Sequence, residues 1–133
     1  MPPYERFAAW KECNSLALKV YRATSAFPKH ELYGLTSQTR RAAFSAAANI
    51  VEGSSRRGAA EFRRFVDIAL GSLSEVGYAL RFARELELLT QEAWSELDDQ
   101  HQRAHYLTWK LYESLMKARR ETAVARSRPP STA

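Results

Sequence analysis

The sequence predicts an all-α protein: an antiparallel, up-down four-helix bundle in a single domain. Three observations carry that expectation. Apolar residues recur at three- and four-residue steps over long windows, glycine and proline interrupt the chain at few places, and no stretch alternates as a strand would. At 133 residues the chain is long enough to close one hydrophobic core.

The first helix is expected over residues 4–26, with Phe7, Trp10, Ala17, Tyr21 and Thr24 on its apolar face. It stops at Phe27-Pro28, because proline pushes the residue before it out of the helical region. Residues 28–35, with Tyr33-Gly34, form the first connection. Thr36 or Ser37 is expected to cap the second helix, which continues to residue 52 or 55. Gly53, Ser54, Ser55 and Gly58 make a second connection short enough to turn the next helix antiparallel. The third helix is expected over residues 59–89, roughly 45 Å at the usual rise. Thr90-Gln91-Glu92 offers a capping hydroxyl and then an acid in the first turn. The fourth helix follows over residues 91–122, carrying Trp94, Leu97, Ala104, Leu107, Leu111 and Leu115. Residues 1–122 are thus the expected bundle, and residues 123–133, basic and proline-containing, the expected disordered tail.

Composition narrows the class. Hydrophobic residues at 45% and charged residues at 26% suit a soluble globule. Cys13 is the single cysteine, so no disulfide forms within the chain and a reducing compartment is expected. The start carries no basic region followed by an apolar run, which predicts no secretory signal and a cytoplasmic location. No window nears the roughly 18 consecutive apolar residues of a membrane span. The net charge is +5, unevenly placed. Residues 40–64 hold six arginines against Glu52 and Glu61, net +4; residues 117–128 hold five bases against Glu121, again net +4. Residues 85–99 hold six acids and no base. Such a pattern suits an anionic partner, or head-to-tail attraction between subunits.

Two helices are too apolar for a solitary bundle. On the third, Phe65, Val66, Ile68, Ala69, Leu70, Leu73, Val76, Tyr78, Ala79, Leu80 and Phe82 leave only a narrow polar line through Asp67, Ser74, Arg81 and Arg84. That surplus predicts self-association. On the second, Ala42, Ala43, Ala46, Ala47 and Ala48 let neighbours approach closely, while Phe44 and Val51 point away from the core face. A polar stripe on the same helix joins Gln38, Arg41, Ser45, Asn49 and Glu52 at steps of three and four, with Glu75 as the expected partner of Arg41. Such a stripe is either a binding site or a polar network fixing helix register. The network is favoured, because buried charges persist only when paired.

Catalytic chemistry finds no support. His101 and His105 share a helix face at i, i+4, and Asp98 precedes them, but a di-metal bundle needs that pattern twice with further carboxylates. Water-facing histidines are expected instead. Cys13 reads as a small core thiol. Gly53 and Gly58 are followed by Ala59-Ala60, not by the Lys-Ser/Thr of a phosphate loop. No enzyme, cofactor or metal is expected. The arginines remain: Arg40, Arg41, Arg56, Arg57, Arg63 and Arg64 are expected to cluster around the second connection. Guanidinium forks suit phosphate, and a helix start adds a favourable dipole, so Arg40, Arg56, Arg57, Arg63 and Arg64 are candidate RNA or DNA contacts. The alternative is that they are solvated or pair with acids of an adjacent subunit.

The string Phe27-Pro28-x-x-Glu31-x-Tyr33-Gly34-Leu35-Thr36-x-Gln38-x-Arg40-Arg41-Ala42, then Ser45-x3-Asn49-Ile50-x-Glu52-Gly53, resembles the four-helix-bundle proteins encoded within bacterial 23S rRNA intervening sequences. Glu61-Phe62-x-x-Phe65-x3-Ala69-x-Gly71-Ser72-x3-Glu75 is similar to the same family. The resemblance spans residues 7–119. It departs where Ala46-Ala47-Ala48 replaces the family's commoner Ile-Pro-x, which predicts a straighter second helix. It implies an up-down bundle assembled as a homopentamer. It also implies kinship with the accessory variability proteins of diversity-generating retroelements, pentameric bundles that bind nucleic acid and a reverse transcriptase. Two functions follow as expectations: a homo-oligomeric, non-enzymatic nucleic-acid binder, or an oligomeric scaffold for a protein partner.

Overall fold

The computed structural model describes residues 2–129. A 3-10 turn over Pro3–Arg6 precedes four helices: α1 (Ala8–Thr24), α2 (Ser37–Ser54), α3 (Ala59–Glu85) and α4 (Gln91–Ser127); no strand occurs among the described residues. The first expected helix is therefore split. Phe7 is extended (φ −85°, ψ 122°) between the turn and α1, which sends its ring onto Phe62 of α3, centroid to centroid 5.3 Å.

The first connection holds a 3-10 turn, Lys29–Glu31, and a wider turn, Leu32–Thr36, broken at Gly34 (φ −109°, ψ −112°). Neither expected hydroxyl caps α2. Thr36 is already helical (φ −57°, ψ −52°), and the Glu31 carboxylate accepts the Leu35 N–H at 3.1 Å from the preceding turn. α2 then runs unbroken through its alanines. Gly53, expected in the connection, lies inside the last turn of α2 and is buried. A Cβ there would stand 2.8 Å from Phe65 Cβ, 2.9 Å from Phe62 Cδ1 and 3.3 Å from the Phe62 carbonyl. Only residues 55–58 remain to turn the chain, and Gly58 does so at φ 86°, a conformation that side chains oppose.

α3 has 27 residues, about 40 Å, and ends four residues before the expected position. Glu87 adopts φ 61°, its N–H bonding the Arg84 carbonyl while the Leu88 N–H bonds that of Ala83, both at 2.9 Å. This paired closure is the left-handed helix ending usually given to glycine. Leaving the helix here carries Leu89 into the core, where it is 8% exposed. Thr90 then caps α4 as expected, Oγ1 accepting the Ala93 N–H at 3.1 Å. α4 runs to Ser127, so residues 123–127, expected in the tail, are helical. No helix breaker precedes Pro129; Arg128, before it, is extended (φ −69°, ψ 136°). Residues 130–133 of the expected tail lie outside the described residues.

Contacts along each pair give its direction. Gly53 meets Phe62 and Phe65, and Ser45 meets Ser72, so α2 and α3 are antiparallel. Arg63 meets Tyr112, Leu73 meets His101, and Arg84 meets Trp94, so α3 and α4 are antiparallel as well. Glu12 meets Gln100 and Cys13 meets Thr108 across α1 and α4. Leu16, Val20, Ile50, Leu73 and Val76 are fully buried in the centre, each worth about 1.5–3 kcal/mol by burial. α4 adds Leu97 and Ala104, but also Gln100 and Thr108, which a hydrophobic pattern does not mark. Both are satisfied. Gln100 Nε2 donates to the Glu12 carbonyl at 3.0 Å and its Oε1 accepts from Lys19 and Arg103; Thr108 donates to the Ala104 carbonyl at 2.7 Å. No helix among the described residues is long and apolar enough to cross a membrane.

Replacing Gly53 with alanine should lower stability by about 1–3 kcal/mol, because backbone and Cβ atoms of α3 cannot yield as a flexible tip would. Glu87→Gly should raise it by about 1 kcal/mol, by relieving the left-handed strain. Denaturant unfolding at one fixed protein concentration reads both.

Candidate nucleic-acid interface

The antiparallel pairing decides which arginines meet. The end of α2, the start of α3 and the end of α4 share one pole of the bundle, with Phe7 closing it from α1. The two basic runs, far apart in sequence, therefore converge there. The acidic run, residues 85–99, spans the α3–α4 turn at the opposite pole.

Arg40 does not belong to the cluster. It stands at the start of α2, about 21 Å along the helix from Ser54, the last residue before the turn, at the usual rise. Its Nε donates to Thr24 Oγ1 at 2.8 Å, Nη2 reaches the Tyr21 carbonyl at 3.3 Å, and the guanidinium lies 4.8 Å from the Tyr21 ring centroid. Arg40 thus clamps the end of α1, where carbonyls lack helical donors. Arg41, beside it, is equally remote from the second connection.

Four candidates do share the basic pole, and three of them are engaged. Arg56 pairs with Glu52 at 2.6 Å and lies over Phe65, Arg64 pairs with Glu61 at 3.4 Å and covers the same ring, and Arg63 donates to the Tyr112 hydroxyl at 3.3 Å. The two ion pairs are surface pairs at i, i+4 and i, i+3, weak enough for phosphate to displace. Arg57 has no ion pair among the described residues. It lines a hollow of about 790 Å³ with Gly58, Ala59 and Ala60 from the turn and α3, and Arg119, Thr122, Ala123, Arg126 and Ser127 from α4. The wall supplied by α4 is the stretch that sequence alone assigns in part to a tail. Gly58 brings no side chain to cap α3, so the first N–H groups of that helix stay open beside the hollow.

The polar stripe on α2 becomes the floor of a groove between α2 and α3. Ser45 bonds Ser72 at 2.9 Å, and Asn49 Nδ2 donates back to the Ser45 carbonyl and hydroxyl at 2.8 and 3.0 Å. Gln38, Arg41 and Glu75 line a hollow of about 600 Å³ with Phe44 and Tyr21, yet no ion pair within the described chain joins Arg41 to Glu75. Glu52 turns to Arg56 instead. The middle of the stripe is half-buried and its ends are exposed. Beside this groove Phe44, Tyr78 and Phe82 are 63%, 66% and 40% exposed; on the next face, beside the α3–α4 groove, Tyr106 and Trp109 are 60% and 45% exposed.

Of the two histidines expected to face water, His105 is exposed, but His101 is not. His101 is half-buried, its Nε2 2.6 Å from the Leu73 carbonyl and its ring against Gly77, where a Cβ would come within 2.9 Å. Nε2 is thereby occupied by a carbonyl rather than open to a cation. Burial, then neighbouring His101, hold His105 below the ordinary imidazole range. No group of three or more His, Cys, Asp or Glu placed to hold a metal ion occurs among the described residues. Cys13 is fully buried, 3.4 Å from Thr108 Oγ1. Burial pushes its thiol up to about 11; the Thr108 hydrogen bond opposes this and the charge of Glu12 adds to it.

The sequence pattern of the 23S rRNA-intervening sequence protein family matches residues 5–121. No curated protein sequence matches the chain. A crystal structure of a protein of unknown function from the S23 ribosomal protein family of Bacteroides thetaiotaomicron superposes with a TM-score of 0.71 at 19% identity, covering 79% of this chain and 98% of that one. At that identity the likeness speaks for the fold.

Cys13 should resist a thiol reagent at pH 8 in the folded protein and react once the chain is unfolded. The unfolded thiol ionises near 9.0 and the folded one near 11, so stability should hold below pH 9 and decline from there to pH 11. Unfolding titrations across that range test the sign; a rising stability would contradict it.

Proposed function

The chain belongs to the 23S rRNA-intervening sequence protein family, and for it we propose a non-enzymatic role: a cytoplasmic homo-oligomer that binds RNA or DNA through the basic pole of each bundle. One observation supports this reading above others. The two basic runs meet at one pole, where Arg57, Arg119 and Arg126 line a single hollow without a carboxylate in its lining. Cations gathered in this way release counterions from a phosphate backbone on binding, and bind without regard to sequence.

The oligomeric part draws on the exposed aromatics. They form two patches, one along the α2–α3 groove and one on α4 beside the α3–α4 groove. Two unlike patches on neighbouring faces favour a heterologous contact, which closes into a ring, over a two-fold dimer that pairs one patch with itself. Five copies is the number that the family resemblance implies. A ring repeats the basic pole around its axis and strengthens the field there.

The scaffold reading draws on the polar α2–α3 groove, where Arg41 and Glu75 stand without partners in the described chain and could receive a protein helix. Salt separates the two. Nucleic-acid affinity should fall linearly with the logarithm of salt, and the combined Arg57→Ala, Arg119→Ala, Arg126→Ala variant should flatten that slope by about 2–3 for each copy engaged. Fluorescence anisotropy with a labelled oligonucleotide measures it, and an unchanged slope would remove the basic pole from the interface. Light scattering should return several times the 15.2 kDa of one chain, and a single-chain mass would defeat the ring.

A further inference from the structure

We propose that the hollow between the α2–α3 turn and the last turns of α4 receives a phosphomonoester, the terminal phosphate of a nucleic-acid strand. The inference rests on the nucleic-acid reading above and narrows it to strand ends.

The arginines of this pole divide into two kinds. Arg56 and Arg64 are held by Glu52 and Glu61, and Arg63 by the Tyr112 hydroxyl. Arg57, Arg119 and Arg126 have no ion pair and no side-chain hydrogen bond among the described residues, and all three line the same hollow. Arg119 and Arg126 are seven residues apart on α4, two turns or about 10.5 Å, so both lie on the face turned toward Arg57. Three arginines from two separate segments therefore line one cavity.

Charge and shape then select the ligand. A diester inside a strand carries one negative charge and must leave the site on both sides. A terminal phosphate carries nearly two at neutral pH and offers three outer oxygens, matching the three arginines that line one hollow. The floor is built from Gly58, Ala59, Ala60 and Ala123, whose small side chains leave the volume free. At about 790 Å³ the hollow falls within the range that binds a small molecule, so a nucleotide fits with its phosphate inward.

The test compares one RNA sequence carrying a 5′-phosphate, a 3′-phosphate or hydroxyls at both ends, measured by anisotropy against the full chain. A terminal phosphate should tighten binding by about tenfold, and the 5′ and 3′ forms show which end is preferred. Inorganic phosphate should abolish that advantage before it abolishes binding. Arg57→Ala with Arg126→Ala should also abolish it, whereas Arg22→Ala at the far pole should keep it; circular dichroism confirms folding of each. Equal affinity for all three ends would overturn the inference and leave the nucleic-acid reading in place. Failure of every oligonucleotide to bind at low salt would overturn both.

Discussion

The closeness of α2 to α3 is the constraint on which the rest of the molecule depends. Ala43 and Ala46 have no exposure, and Gly53 sits where any Cβ would collide with Phe62 and Phe65. A slim helix lets the start of α3 tuck under the end of α2, so that four residues suffice for the turn between them. That placement brings Phe62 to Phe7 and fixes where Arg57 and Gly58 emerge. The same slimness has a second consequence. Short side chains continue to the outer edge, where Ser45 and Ser72 fill little volume, so the α2–α3 groove stays open, and Phe44, Tyr78 and Phe82 flank it without cover.

The α1–α4 seam is organised differently. Its centre is polar: Gln100 is nearly inaccessible and ties the Glu12 carbonyl to Lys19 and Arg103, and Thr108 stands against Cys13. Polar groups so deep tolerate few arrangements, because a slip of one turn would leave them without partners. They set the register of α4 against α1 and hence the height at which α4 ends. Its last turns, from Arg119 to Ser127, reach past the α2–α3 turn and make the wall of the basic hollow. Register deep in the bundle thus governs chemistry at its pole, while the acidic α3–α4 turn is held at the far end.

Much of this could be read without coordinates. The four helices, the proline stop after Phe27 and the Thr90 cap follow from local rules that act within a few residues. The surplus of apolar residues on α3 was legible for the same reason, since Tyr78 and Phe82 share a face by spacing alone. Other features were not. The α3 ending gave no glycine signal, because Glu87 accepts a left-handed conformation to bring Leu89 inward. Gln100 and Thr108 look like surface residues until their partners on α1 are known. His101 gave no sign of the Leu73 carbonyl or of the space left by Gly77.

What the sequence determined by itself was the number of helices, their approximate lengths, the class of the fold and the signs of its charged runs, because each depends on neighbours along the chain. What only the tertiary structure decided was which charges stand together. Arg40 and Arg57 belong to one basic run, yet the length of α2 sends one to clamp α1 and the other to the opposite pole. Arg57 and Arg126 are far apart in sequence and line the same hollow, because antiparallel packing returns α4 to the point where α3 begins. Such juxtapositions arise from helix length and direction acting together, and no local pattern records them.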